Sequence, residues 1–188
     1  MNPLAIYLAS VLAFLVPSMK EARRDSIATD IATVTLAEER AFDNDDDGQK
    51  TALLLVSIAH YETGRSWAEW IDSGACNDPA WREKHALWMR GGDCDSSKAW
   101  SMWQIHVPGD SVELGRALVA NRKNAVRTAL TIARESLKSG AGLCHYSGET
   151  YPRCKLASMR LETARNWVTK FPYRPEIRLA EHNVTGVE

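Results

Sequence analysis

Leu53–Gly64 reads LLLVSIAHYETG, a run in which one carboxylate, Glu62, ends an otherwise almost wholly apolar segment. Apolar side chains occupy too many angles around the axis for only one face to be covered, so the segment predicts a buried helix. Glu62 falls in its last turn and Gly64 stands where a helix C-cap belongs. Desolvation and the negative end of the helix dipole both disfavour an ionised carboxylate there, and both raise its pKa. A glutamic acid kept protonated near neutral pH can donate a proton. The competing reading is a Glu that leaves the core and meets solvent.

Working outward, the 188 residues fit one globular domain with enough apolar and aromatic content for a core, and carry no low-complexity tract or internal repeat. Lys and Arg total 23 against 24 Asp and Glu, so the field of the whole molecule does not point to nucleic acid, and none is expected as a partner. The pattern predicts a mainly α chain. Ser18–Arg40, Gly48–Thr63, Ser111–Leu137 and Ala157–Phe171 have helix-like spacing, and no segment shows sustained strand alternation. Residues 66–108 form a long irregular stretch holding most of the tryptophans, where a cleft would be built. The expected division is an apolar segment at 1–17, a helix and acidic loop at 18–47, the main domain at 48–173 and a tail at 174–188.

Leu4–Val16 is an apolar run followed by Pro17, Lys20, Arg23 and Arg24. It is short for a membrane span and about right for a signal h-region, yet no basic residue precedes it and no small-x-small cleavage site follows. Export or anchoring, with membrane association through residues 4–17, is expected over a helix packed on the domain. Four cysteines fall as two sequential pairs, Cys76 with Cys94 and Cys144 with Cys154, each spanning a loop-like stretch. The spacing is too wide for a zinc motif, and two disulfides, other pairings included, are expected; they imply a compartment outside the cytoplasm. Asp43-Asn44-Asp45-Asp46-Asp47-Gly48 imitates the front half of an EF-hand loop, but Leu54 stands at the twelfth position where the bidentate Glu belongs. A capping loop for the next helix is the better reading, and no metal is expected.

Two further clusters are Cys94–Pro108, CDSSKAWSMWQIHVP, and Leu143–Cys154, LCHYSGETYPRC. An apolar helix ending in Glu-Thr, then a turn leading to Gln-Ile, then Tyr with Ser or Asn and Gly, in that order, resembles the lysozyme-like superfamily. The likeness is greatest to its lytic transglycosylase branch, with goose-type lysozyme beyond. The matching segments are AHYETGR around Glu62, AWSMWQIHVP around Gln104 and HYSGE around Tyr146, so the resemblance covers roughly residues 48 to 170. Ser101 stands where those enzymes usually carry Gly, Tyr146-Ser147 stands for Tyr-Asn, and His145 is offset by one as a rival for the tyrosine's place.

The resemblance implies cleavage of the β-1,4 bond between N-acetylmuramic acid and N-acetylglucosamine in peptidoglycan glycan strands, without a cofactor. Glu62 would protonate the glycosidic oxygen. The cationic centre left behind needs a second carboxylate or a nucleophile within the sugar. In lytic transglycosylases the muramic acid C6 hydroxyl fills that role and the same Glu acts as base, leaving a 1,6-anhydro end. For hydrolysis, Asp72, Asp93 and Asp95 are the available second acids, and paired-acid mechanisms need one about 5–9 Å from Glu62. Gln104 and Ser101 would contact substrate, Tyr146 would steady the Glu or the developing charge, and Trp103 is the candidate platform for a sugar ring.

Other chemistries are absent from the sequence. No G-x-S-x-G elbow, phosphate-binding Gly loop or H-E-x-x-H helix occurs, and His60, His85, His106 and His145 have no ligand spacing. Unpaired Cys144 beside His145 would reopen a cysteine peptidase. Asn183-Val184-Thr185 fits a glycosylation acceptor but decides nothing. The alternative from another class is a noncatalytic lysozyme-like envelope or virion component that binds glycan while its acid is idle, and a calcium-linked adhesion bundle stands behind it.

Overall fold

A computed structural model describes residues 2–85, 98–140, 142–144, 146 and 154–173. Among these the chain is mainly helical, with helices α1 (Pro3–Leu15), α2 (Glu21–Ala37), α3 (Gln49–Glu62), α4 (Glu69–Asp72), α5 (Pro79–His85), α6 (Val112–Val119), α7 (Arg122–Lys138) and α8 (Lys155–Lys170). Strand is confined to a two-residue antiparallel hairpin, β1 (Ala99–Trp100) with β2 (Ile105–His106), in which Trp100 faces Ile105.

Helix α3 is the axis of the molecule. Every residue from Thr51 to Ala59 is buried, as an apolar run without a polar face requires. It is enclosed by α8 along its length, by α1 and α2 on another side and by α7. Helix α2 covers it with a stripe of Ile27, Ala28, Ile31, Ala32, Val34 and Thr35, and α7 with Ala125, Val126, Ala129, Leu130 and Ala133. Its start is capped by the acidic loop. The Asp45 carboxylate accepts from the Lys50 and Thr51 amides at 2.8 and 2.7 Å, and Asp47 accepts from the Gln49 amide at 3.0 Å. These aspartates satisfy the orphan donors of the first turn, which is the capping role read from the sequence.

The apolar N-terminal segment packs as a helix on the domain, one of the arrangements expected for it: Leu4, Leu8 and Leu12 are at most 1 % exposed and belong to the same core as α3. Tyr7 donates to the Phe171 carbonyl at 2.6 Å, and the Gln49 amide donates to the Tyr7 oxygen at 3.0 Å and to that carbonyl at 2.8 Å. No helix among the described residues is long and apolar enough to cross a membrane. One expectation is corrected: the helix expected over Ser111–Leu137 divides into α6 and α7. Asn121 takes an extended conformation and its side chain accepts from the Lys123 amide at 3.1 Å, so a new helix starts there.

The irregular stretch is built from short pieces. Helix α4, a 3-10 turn at Ala75–Asn77 and α5 gather Trp70 and Trp81 around Ile71 and Cys76 as a small second core. Cys144 and Cys154 are bonded to each other across a Cα separation of 5.3 Å. Cys76 is disulfide-bonded as well, and its expected partner Cys94 lies outside the described residues.

Candidate functional site

Glu62 is the last helical residue of α3, and the chain turns sharply after it. The Gly64 amide bonds to the Tyr61 carbonyl at 3.1 Å and the Arg65 amide to the His60 carbonyl at 2.8 Å, with Gly64 at φ 57°. This is the Schellman arrangement, which needs a residue without a Cβ at the left-handed position. The turn ends the helix without burying the carboxylate completely: the Glu62 side chain keeps 17 % of its surface exposed.

Arg160 of α8 meets it there, with Nη2 at 2.6 Å from Oε1. Burial pushes the Glu62 carboxyl above its ordinary range while the Arg160 guanidinium pulls it down, and burial prevails. The register that brings them together is held by two bonds between the helices. The Ser57 hydroxyl donates to the Arg160 carbonyl at 2.8 Å, and the Tyr61 and Thr163 hydroxyls lie 3.0 Å apart.

The third member is Tyr146. Its hydroxyl donates to the Trp103 carbonyl at 2.7 Å, which ties the Cys144–Cys154 loop to the β1–β2 turn. Burial, reinforced by the Glu62 carboxylate and opposed by Arg160, holds this phenol well above its usual range, so it stays neutral. Glu62, Arg160 and Tyr146 therefore share one electrostatic neighbourhood, assembled from α3, α8 and the disulfide loop.

The turn Ser101–Gln104 carries the Trp103 carbonyl that Tyr146 binds. Ser101 sits at φ 65°, the left-handed region that glycine favours, and Gln104 at φ 48°. The Ser101 hydroxyl accepts from the Trp103 amide at 3.2 Å, while the Gln104 backbone and side-chain amides both donate to the Ser101 carbonyl, at 3.1 and 3.0 Å. Trp103 is not the sugar platform expected from the sequence. It is 0 % exposed, and its indole N–H is spent on the Leu55 carbonyl at 3.0 Å, so neither ring face is open to a ligand. It anchors the turn to α3 instead.

Asp72, one of the second acids considered, is held elsewhere. Arg122 grips it through Nε at 3.1 Å and Nη2 at 2.8 Å, Arg23 lies at 3.6 Å, and Arg122 also binds Asp30 at 2.8 Å. These residues line a polar cavity of about 700 Å³ between α2, α4 and the start of α7, which Glu62 does not line. Asp93, Asp95, His145 and Ser147 lie outside the described residues. His60 points into an aromatic nest: it accepts from the Trp67 indole at 3.1 Å and packs edge-on against Tyr61 and Trp167, and burial lowers its pKa. Among the described residues no group of three or more His, Cys, Asp or Glu is arranged to hold a metal.

Arg160 escaped the sequence reading, and a signal for it was present. Ala157, Arg160, Ala164 and Trp167 repeat at the spacing of one helix face, and all four are buried. An arginine in the middle of such a stripe needs an anionic partner on the helix it packs against.

Neither family models, nor curated proteins, nor solved structures give a match to this chain. Function therefore rests on the site alone.

Proposed function

We propose that this protein cleaves the N-acetylmuramic acid to N-acetylglucosamine β-1,4 bond of peptidoglycan, as a lytic transglycosylase or muramidase, with Glu62 as general acid and base. The observation that carries the reading is a carboxyl group raised in pKa by burial, at a helix end, that still keeps an exposed edge beside a neutral tyrosine. A proton on Glu62 passes to the glycosidic oxygen as the bond from the muramic C1 breaks. In the transglycosylase course the C6 hydroxyl of the same sugar attacks C1 and returns its proton to the Glu62 carboxylate, which closes the cycle. Water in place of that hydroxyl gives hydrolysis.

The surrounding residues suit those steps. A filled cleft removes the remaining solvent from Glu62 and raises its pKa further. Gln104 has its amide N–H committed to Ser101, so its carbonyl end is the part that would accept a hydrogen bond from an N-acetyl or hydroxyl group. The Cys144–Cys154 bond supports an extracytoplasmic location, either cell-envelope or bacteriophage-associated.

One observation favours a second reading, a glycan-binding shell whose acid is idle: the 2.6 Å contact with Arg160 stabilises the ionised, non-donating form of Glu62. Turnover on purified sacculi separates the two. The parent protein releases muropeptides and a folded Glu62→Gln protein loses that activity under the enzyme reading; equal release by both, or none by the parent, rejects it. Mass analysis of the products then tells the routes apart, since muramic ends lighter by one water mark transglycosylation.

A further inference from the structure

We propose that Arg160 is a positioning residue for Glu62, setting the pH at which the carboxyl changes from proton donor to proton acceptor; this rests on the glycosidase reading above. The guanidinium is enclosed, with 8 % of the side chain exposed, and its Nη2 rests on Glu62 Oε1. Its Nε and Nη1 are buried and carry no hydrogen bond. Each unmet buried donor costs free energy that a methionine or leucine in the same stripe would avoid, and what the guanidinium gains in return is its contact with Glu62. The apolar face of α8 and the Ser57 bond to the Arg160 carbonyl hold the cation against Glu62.

The arrangement does two things for an acid that must also act as a base. It fixes one carboxylate oxygen and leaves the other to carry the proton. It also limits how far burial can raise the pKa, because a carboxyl too reluctant to ionise would donate poorly. The groups facing Glu62 are Arg160 from α8 and the neutral Tyr146 from the disulfide loop, and of these only Arg160 carries charge.

The test is a direct titration of the Glu62 carboxyl carbon by NMR in the full chain, compared with the pH profile of turnover on purified sacculi. Removing the charge in Arg160→Met should raise the Glu62 pKa by about 1–2 units, the usual effect of losing an opposite charge in contact. The high-pH limb of turnover, where the acid loses its proton, should move up by the same amount. Arg160→Lys, which keeps the charge, should hold the pKa and the profile near those of the parent, and if the methionine protein does not fold, Arg160→Gln is titrated in its place with the same upward shift expected. A Glu62 pKa and a limb that stay where they are in the charge-free variant overturn the proposal. A pKa that moves while no variant, and not the parent, cleaves sacculi leaves the coupling intact and removes the glycosidase reading instead.

Discussion

Ser57 and Arg160 are joined across the α3–α8 interface by a buried hydrogen bond of 2.8 Å, from the serine hydroxyl to the arginine backbone carbonyl. Both helices are smooth and apolar along this contact, and smooth surfaces slide. This bond, with the Tyr61–Thr163 contact one turn further on, sets the register that brings the guanidinium to Glu62. Ser57→Ala should cost about 1 kcal/mol, the worth of one such bond, read from the midpoint of chemical denaturation. No change in midpoint would mean that the Tyr61–Thr163 contact and side-chain packing hold the register without it.

The Glu62–Arg160 pair should break asymmetrically. Taking away the acid, in Glu62→Ala, strands a buried cation that cannot discharge itself and should cost about 3–5 kcal/mol. Taking away the base leaves a carboxyl that can bind a proton and become neutral, and a methionine suits the apolar stripe of α8. Arg160→Met should therefore be the milder change at pH 6, by at least about 1 kcal/mol. The same order in reverse, by urea denaturation of both, would contradict this account.

Two partly buried groups give stability slopes of opposite sign with pH. His60 has a lowered folded pKa, so below 6.5 the unfolded chain takes up a proton that the folded one refuses, and stability falls as pH drops from 6.5 towards the folded value. Glu62 has a raised folded pKa, so its contribution is complete below 4.5 and fades as pH rises through the folded value. Replacing His60 with Gln should flatten the first slope and leave the second. Thermal melts across pH 4 to 8 would read both.

Reducing the Cys144–Cys154 bond should act on stability and site together. The bridge closes a loop with a sequence separation of 10, for which chain entropy gives about 2–3 kcal/mol. Tyr146 lies within that loop and reaches the Trp103 carbonyl, so loosening it slackens the wall beside Glu62. A lower melting temperature in a Cys144→Ala, Cys154→Ala protein, with loss of turnover before loss of fold, is the expected outcome. Unchanged turnover would separate Tyr146 from the site.

Gly115 in α6 lies against the Trp100 ring so closely that an added Cβ would fall 1.9 Å from Cε2. The indole is 2 % exposed and has nowhere to retreat. Gly115→Ala should destabilise by about 2–3 kcal/mol, measured by denaturation, and shift the hairpin that carries Ser101 and Gln104.

What the sequence made legible is what local physics decides. The apolar run into Glu62 fixed a buried helix because no face was left for water, and Gly64 ended it because the left-handed turn has one cheap occupant. Asp45 and Asp47 read as caps from their place before that helix. Asn121 was the missed counterpart: the same capping chemistry sits inside a periodic stretch that looks continuous, and periodicity hid the break. Trp103 and Arg160 failed for a different reason. Whether an indole lies in a groove or under a turn, and which anion a buried arginine meets, is decided by elements far apart in the chain. Tyr146 was nominated by order along the chain, and its bond to the turn is a tertiary fact that no spacing encodes.

The latch made by Tyr7, Gln49 and the Phe171 carbonyl binds the first helix to the residue that follows the last. Burial drives the Tyr7 phenol up to about 12, so the clasp survives any ordinary alkalinity. Clipping the chain after Val16 would strip a wall from the interior and leave Ile27 and Ile31 wet. Such a shortened molecule would be sticky before it was inactive, and its fate would be decided by clumping rather than by chemistry.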